Sequence, residues 1–161
     1  MHEHQQKTSS ESSEGKFKIG IASDHGGYCL KQAVFSHLLE QEIYMEDYGC
    51  FAPESVDYPD YAKSLAKGIK RGEIHMGILI CGTGIGMSIS ANKIAGIRAA
   101  LCNDSYSAEM ARRHNDANVL TMGERVIGEG LAKKIALTFI QSEFDGGRHQ
   151  RRVNKMMGLE K

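Results

Sequence analysis

A cysteine followed by three alternating glycines is the part of this sequence best suited to chemistry. Cys81 ends an apolar run over residues 78–80 and is followed by Gly82, Gly84 and Gly86. Glycines let backbone N–H groups approach a ligand, and the helix predicted next presents its positive end to them. The loop is therefore suited to an anion or a developing oxyanion, and a thiolate at its first position could act as a base or a nucleophile. An ordinary buried cysteine is the alternative.

Two common phosphate-binding motifs do not fit this loop. A P-loop requires a lysine at a position where this chain has none after Gly86. The dinucleotide fingerprint has the spacing Gly-x-Gly-x-x-Gly, whereas this loop reads Gly-x-Gly-x-Gly and follows the third predicted strand instead of the first. Asp104 nevertheless lies about where a ribose-binding acid is expected. A nucleotide- or phosphate-binding module without catalysis therefore stays open as a second hypothesis.

Other polar side chains come directly after predicted strands. Asp24 and His25 follow the first strand, Asp104 follows the fourth, and residues 123–125 follow the fifth. Ligands of parallel α/β sheets bind at the carboxyl ends of the strands, so these positions indicate a site. For Asp24 and His25 an ordinary turn or helix cap is the alternative.

Three further candidates lie on predicted helices. His114 ends a helix, where it could serve function or simply interact with the terminal carbonyls. Arg148 and Arg152 are four residues apart, so on a helix they share a face and could grip a phosphate together. A solvated basic face that includes Arg151 and Lys155 is the alternative.

Strands and helices alternate regularly along the chain. Strands are predicted over residues 17–22, 43–48, 76–81, 97–102 and 118–122. Each is followed by a helical pattern or a loop leading into one, and these helices end near residues 40, 71, 93, 114 and 141; a last helix is predicted over residues 148–157. This order predicts right-handed crossovers and a parallel five-stranded sheet that helices cover on both faces.

Length and charge narrow the function classes. The 161 residues predict one domain over residues 17–161, and the balance of 20 basic against 20 acidic side chains favours neither a nucleic-acid nor a membrane partner. No apolar stretch approaches the ~20 residues of a membrane-spanning helix. The four scattered cysteines, without a secretory signal, predict free thiols and a reducing cytoplasm.

The first sixteen residues differ in composition from the rest. Residues 1–16 are polar and rich in serine and glutamate, so we expect a disordered tail. His2 and His4 on such a tail are more often inert than ligands of a metal.

Several ordered motifs together resemble the type B ribose-5-phosphate isomerase family, which also contains galactose-6-phosphate isomerase subunits and allose-phosphate isomerases. The resemblance covers about residues 18–157 and rests on Ser-Asp-His-Gly-Gly, Asp-Tyr-Pro-Asp-Tyr-Ala, Ile-Cys-Gly-Thr-Gly-Ile-Gly-Met-Ser-Ile-Ser-Ala-Asn-Lys, Gly-Ile-Arg-Ala, Arg-His-Asn-Asp-Ala-Asn-Val-Leu and Gly-Gly-Arg-His-Gln-Arg-Arg-Val.

The resemblance implies a fold and an activity. The fold is a Rossmann-like three-layer α/β/α sandwich with an extra C-terminal helix. The activity is interconversion of D-ribose 5-phosphate and D-ribulose 5-phosphate through a cis-enediolate, in the non-oxidative pentose phosphate pathway. The resemblance implies that the reaction proceeds without a metal or an organic cofactor. A homodimer, or a dimer of such dimers, is implied, with active sites that draw residues from both subunits.

The resemblance also implies roles for individual residues. Cys81 resembles the base that moves a proton between C1 and C2, and His114 the group that opens the furanose ring. The loop with the Thr83 hydroxyl would hold the enediolate. The implied substrate contacts are Asp24, His25, Tyr58, Gly82, Gly84, Gly86 and Asn115. The implied phosphate clamp consists of Arg125, Arg148 and Arg152.

One branch of the family uses a glutamate of the glycine loop as the base and lacks the cysteine. Met87 occupies that place here, so Cys81 is the only candidate base in the loop. The sugar is left open, because galactose- and allose-phosphate isomerases share much of the loop.

Overall fold

The computed structural model describes residues 17–160, so the tail expected over residues 1–16 lies outside the described part. The described residues form five strands and six α-helices, which are β1 Ile19–Ser23, α1 Tyr28–Glu40, β2 Met45–Asp47, α2 Tyr58–Lys70, β3 Met76–Cys81, α3 Ile85–Asn92, β4 Ala99–Leu101, α4 Ser105–Arg113, β5 Val119–Gly123, α5 Glu129–Gln141 and α6 Arg148–Met157. A single 3₁₀ turn, His25–Gly27, joins β1 to α1. No helix within residues 17–160 has the length and apolar character needed to cross a membrane.

The strands form one parallel sheet in the order β2-β1-β3-β5-β4. The ladder between β3 and β5 ends on the pair Cys81 and Gly123, and the ladder between β1 and β3 ends on Ser23 and Ile80. After β1, the chain adds β2 on one side of β1 and then continues on the other side with β3, β4 and β5. Ligands of open parallel sheets bind where the direction changes, outside the carboxyl ends of the strands.

Helices cover both faces of the sheet, as predicted. Helices α1, α4 and α5 pack on one face, where Val34 and Phe139 lie in one buried cluster with Leu120 of β5. Helices α2 and α3 pack on the other, where Leu65 and Met87 lie in one buried cluster with strand residues of that face. Successive strand residues point to opposite faces, so the same strands contribute side chains to both buried clusters. Each such side chain stabilises the fold by about 1.5–3 kcal/mol when fully buried.

The edge strands are shorter than the sequence pattern predicts. β2 and β4 have three residues each, whereas six apolar-rich residues were expected at both places. An edge strand pairs on only one side, so its ends lack the second ladder that keeps central strands extended. The last helix, by contrast, has the bounds that the sequence predicts, Arg148–Met157.

Candidate active site

Cys81 is the last residue of the central strand β3, and its thiol is buried at 4% exposure. The thiol sulfur accepts a hydrogen bond from the backbone N–H of Gly84 at 3.1 Å. Gly84 has a φ of 78°, a left-handed conformation that suits glycine, and it begins α3 without a side-chain cap. Gly84 has no side chain that could cap the N–H groups of the first helical turn, and its own N–H points at the thiol.

The loop after Cys81 rests closely on the end of β5. A Cβ atom on Gly123 would lie 2.4 Å from the backbone of Thr83, so only glycine lets the loop approach this strand. The Thr83 hydroxyl accepts a hydrogen bond from the N–H of Ile85 at 3.3 Å, and Thr83 is exposed. Backbone packing and main-chain contacts thus hold the loop and leave the hydroxyl facing out.

The residues after β1 lie directly beside this loop. Asp24 is almost buried, and its Oδ1 accepts a hydrogen bond from the N–H of Gly27 at 3.1 Å, so it caps the 3₁₀ turn. His25 is exposed, and its Nδ1 accepts from the N–H of Val56 at 3.1 Å. A Cβ on Gly26 would lie 3.3 Å from the backbone nitrogen of Gly82. Asp24 is therefore a structural cap as well as a neighbour of the glycine loop.

Two more predicted residues reach the same loop from other elements. The ring of Tyr58, at the start of α2, lies 2.7 Å from where a Cβ of Gly86 would stand. The guanidinium of Arg125 lies 3.5 Å from the corresponding position on Gly82, and the Arg125 N–H donates to the Gly82 carbonyl. We call these neighbours the carboxyl-edge cluster, which consists of Asp24, His25, Tyr58, residues 81–86 and Arg125.

His114 belongs to a second group of side chains. It caps the C-terminus of α4 and is half-buried, and its ring stacks on the ring of His149 with centroids 4.2 Å apart and planes 8° apart. Its Nε2 lies 3.9 Å from Oδ2 of Asp145. Arg113 donates from Nε to Oδ1 of Asp145 at 3.1 Å. We call His114, Asp145 and His149, with Arg113, the His114 cluster.

Two pKa values in the His114 cluster are shifted downwards. The hydrogen bond from Arg113 is the main reason why the pKa of the Asp145 carboxyl lies below its usual range. The pKa of His149 is also lowered, first by desolvation and then by the positive charges of His114, Arg148 and Arg152. Asp145 is therefore an anion, and His149 favours its neutral form near neutral pH.

Within one chain, the two clusters lie at opposite ends of the strands. Cys81 lies at the carboxyl end of β3, whereas His114 ends a helix that leads back to the start of β5. The five residues of β5 span about 16 Å. The predicted phosphate clamp is divided in the same way, because α5 runs about 20 Å back across the sheet between Arg125 and Arg148.

Asn115 lies beside His114 and lines a surface cavity of about 630 Å³. The cavity is walled by the ends of α3 and α6 and by β4, with Lys93, Ala99 and Met157 among its lining residues. Asn115 is thus placed with the His114 cluster and not beside Cys81.

Residues of the competing hypotheses have structural roles. Asp104 caps α4, and its Oδ1 accepts from the N–H of Ser107 at 2.6 Å, a bond that lowers the pKa of Asp104. Met87, at the place of the alternative base, is fully buried under α2. Burial raises the pKa of the Cys102 thiol to about 11, so this second strand-end cysteine is a poor base near neutral pH.

Sequence reasoning did not single out Asp145 and His149. Neither follows a predicted strand, and only the packing of α6 against the end of α4 brings them to His114. Among the described residues, His114, Asp145 and His149 form the one group of histidine and acidic side chains with potential ligand atoms all within 4.8 Å of one another. The expected absence of a metal stays a prediction.

Comparison with known proteins gives a consistent result. The family model described as Ribose/Galactose Isomerase matches residues 19–156. The chain is 47% identical over 143 residues to Ribose-5-phosphate isomerase B of Escherichia coli. The alignment covers 89% of this chain and 96% of the relative.

Solved structures agree with the sequence matches. The Ribose-5-Phosphate Isomerase B of Clostridium thermocellum is similar with a TM-score of 0.87 and 52% identity, over 89% of this chain and 97% of the other. A Ribose-5-phosphate Isomerase B of Mycoplasma genitalium, solved with bound ribulose-5-phosphate, has a TM-score of 0.84 and 40% identity, over 89% and 96% of the two chains.

Proposed function

The chain belongs to the ribose/galactose isomerase family, and from this premise we propose that it interconverts D-ribose 5-phosphate and D-ribulose 5-phosphate. The observation that carries the proposal is the contact between the Cys81 sulfur and the Gly84 N–H at the start of α3. A base and a set of backbone donors lie side by side, which is what proton abstraction next to a carbonyl requires.

The reaction begins with opening of the sugar ring. Opening breaks the bond between C1 and the ring oxygen O4; the hydroxyl on C1 loses a proton and O4 gains one. His114 is the group that moves these protons, since an imidazole can both accept and donate near neutral pH. Asn115 lies next to it and contacts the sugar. The product is the open-chain aldehyde.

Cys81 then moves a proton along the carbon chain. Its thiolate takes the proton from C2, and the electron pair forms the C1–C2 double bond of the enediolate as the negative charge moves to O1. Transfer of the O2 proton to O1 and return of the carbon-bound proton to C1 leave a ketone at C2 and a hydroxyl on C1. The N–H groups of residues 82–86 and the Thr83 hydroxyl hold the oxyanion, and losing one such donor typically costs about a hundredfold to a thousandfold in rate.

The remaining residues hold the substrate. Asp24, His25 and Tyr58 surround the glycine loop and contact the sugar hydroxyls. Arg125, Arg148 and Arg152 bind the phosphate, because guanidinium groups match phosphate oxygens bidentately. All three arginines are exposed in the single chain and therefore free to reach a ligand.

Separation of the two clusters leads to a shared site between two copies of the chain. One chain presents Cys81 and His114 at opposite ends of its strands, too far apart for one sugar phosphate. A homodimer in which the His114 cluster of each subunit faces the carboxyl-edge cluster of the other completes two sites. Ile85 and Ile89, four residues apart on α3, are 51% and 57% exposed and supply an apolar surface for the second copy.

The cell compartment follows from the same thiol. All four cysteines are free in the described residues, Cys81 among them. A base of this kind must stay reduced, so the proposed enzyme works in the cytoplasm, within the non-oxidative pentose phosphate pathway.

Turnover of ribose 5-phosphate under chelator tests the function. Allose 6-phosphate and galactose 6-phosphate are assayed in parallel, since these sugars belong to relatives with a similar loop. We expect the five-carbon sugar to be converted fastest. Equal or faster conversion of a six-carbon sugar would overturn the substrate, and no conversion by folded protein would overturn the isomerase.

Mixing two inactive variants tests the shared site. Cys81→Ala and His114→Gln chains are co-refolded in equal amounts, so that half of the dimers contain one chain of each kind. Each mixed dimer has one intact site, and about a quarter of wild-type activity is expected. A site within one chain predicts no recovery at all, and that result would sink the shared arrangement.

Calorimetry with NAD and ATP addresses the binding-module hypothesis. The capping role of Asp104 argues against ribose recognition there. Micromolar binding of either nucleotide would favour the binding-module hypothesis, and no detectable binding of either would exclude it.

A further inference from the structure

Two side chains lie against His114 although the proposed reaction assigns them no step. Asp145 lies in the loop before α6 and faces the Nε2 atom of His114 at 3.9 Å. His149 lies in the first turn of α6 and covers one face of the ring, with the centroids 4.2 Å apart. One partner is therefore aimed at an edge of the imidazole and the other at its plane.

The carboxylate itself is held in place. Arg113 binds Oδ1 of Asp145 at 3.1 Å and leaves Oδ2 turned towards His114, and the Asp145 N–H donates to the Arg113 carbonyl. A second carboxylate, that of Glu109, accepts a hydrogen bond from Nη1 of Arg113 at 3.0 Å. Only Asp145 of these two acids faces the imidazole.

We infer that Asp145 and His149 are positioning residues for His114, Asp145 by selecting which ring nitrogen carries the hydrogen and His149 by fixing the plane of the ring. This inference rests on the proposed function, in which His114 opens the sugar ring. An imidazole nitrogen that faces a carboxylate carries the hydrogen, and the other nitrogen is left to exchange a proton with a sugar oxygen.

The charges around the pair support this division of roles. The charged groups around the pair are Asp145 from the loop, which Arg113 of α4 binds, and Arg148 and Arg152 from α6. Stacked imidazoles repel each other when both are protonated. The pKa of His149 is lowered, first by desolvation, and the neutral form of His149 removes this repulsion.

Two substrates separate ring opening from proton transfer. Ribulose 5-phosphate is acyclic because its O5 carries the phosphate, so exchange of its C1 proton with heavy water needs Cys81 and not ring opening. Ribose 5-phosphate is cyclic and needs both. A fault in positioning His114 therefore lowers turnover of the aldose much more than exchange from the ketose.

The decisive variant is Asp145→Asn, with Glu109→Gln as the matched control. Both remove one carboxylate from Arg113, but only the first removes the one that faces His114. We expect Asp145→Asn to lower kcat for ribose 5-phosphate on the order of tenfold to a hundredfold and to leave C1 exchange within about twofold. Asp145→Glu should recover part of the loss, and Glu109→Gln should behave as wild type.

A spectrum of the free protein provides a readout independent of turnover. ¹⁵N shifts of labelled histidine report which nitrogen of His114 carries the hydrogen, and Asp145→Asn should change that ratio while Glu109→Gln does not. His149→Phe keeps a stacked ring without a titratable nitrogen, so it should preserve kcat within about threefold, whereas His149→Ala should lose more.

Failure of the inference and failure of the proposed function give different results. Wild-type protein that converts no sugar phosphate removes the function, whatever the histidine spectra show. Wild-type protein that converts ribose 5-phosphate, together with Asp145→Asn that matches Glu109→Gln in kinetics and in the His114 spectrum, removes the inference alone.

Discussion

The carboxyl-edge cluster and the His114 cluster are held together by different kinds of contact. Around Cys81, main-chain hydrogen bonds and glycines that allow close backbone contact set the geometry, as at Gly84 and Gly123. Around His114, side chains hold one another through an ion pair and a stacked ring pair. The first cluster is attached to buried central strands, and the second lies on helix ends at the surface.

In the proposed reaction, this difference corresponds to two kinds of chemical task. Stabilising an enediolate requires donors that are fixed before the reaction, and backbone N–H groups on a packed strand and helix cannot reorient. Opening a ring and gripping a phosphate tolerate more adjustment, so side chains at a surface are sufficient. Substitutions in the glycine loop should therefore act sharply, and substitutions of Arg148 and Arg152 more gradually.

The largest effect is expected from removing the thiol. Cys81→Ala should lower both ribose 5-phosphate turnover and C1 exchange from ribulose 5-phosphate on the order of a thousandfold or more, because no other base lies in the loop. Cys102→Ala is the control, since that buried thiol has a pKa raised to about 11 and lies on an edge strand's end. Near wild-type rates in a folded Cys81→Ala protein would sink the assignment of the base.

A change in the backbone support should rank second. In Gly123→Ala the new Cβ would meet the Thr83 backbone at 2.4 Å, so the loop must shift, and a misplacement of about 1 Å can cost a hundredfold in rate. Gly130→Ala, at a helix position with no atom within 4 Å, should keep full activity and gain up to about 1 kcal/mol of stability. Equal kinetics of the two alanine variants would contradict the preorganised loop.

The phosphate clamp should respond more gradually. Arg148→Ala and Arg152→Ala should each raise the KM for ribose 5-phosphate about tenfold, since a charge-assisted hydrogen bond contributes about 1.5–3 kcal/mol. Inhibition by inorganic phosphate should weaken in parallel. Arg151→Ala removes the same charge from the same helix; if it weakened binding as much as the other two, a diffuse basic face would replace the clamp.

The smallest effect concerns stability against pH. The pKa of His149 is lowered in the folded protein, so as pH falls below the ordinary value near 6.5 the unfolded chain takes up this proton first. The free energy of unfolding therefore decreases with falling pH, and His149→Phe should flatten that decrease. Urea unfolding at several pH values between about 5 and 7.5 measures it; identical pH dependence in both proteins would refute the assignment.

Much of the fold could be read from local patterns. Apolar runs that end in polar or glycine-rich segments located all five strands, and the alternation with helices predicted the parallel sheet. Edge strands were predicted too long, because hydrophobicity alone does not say which strands have two neighbours. Strand order also escaped prediction, as β5 lies between β3 and β4.

Residues 81–86 determine the character of the first cluster by themselves, because a thiol, three glycines and a helix start are consecutive in the chain and need only local geometry. The second cluster depends on contacts between elements far apart in sequence. Asp145 and His149 reach His114 only because α6 packs across the end of α4. The separation of Cys81 from His114 likewise follows from the direction in which α4 and α5 cross the sheet, and no spacing in the sequence records it.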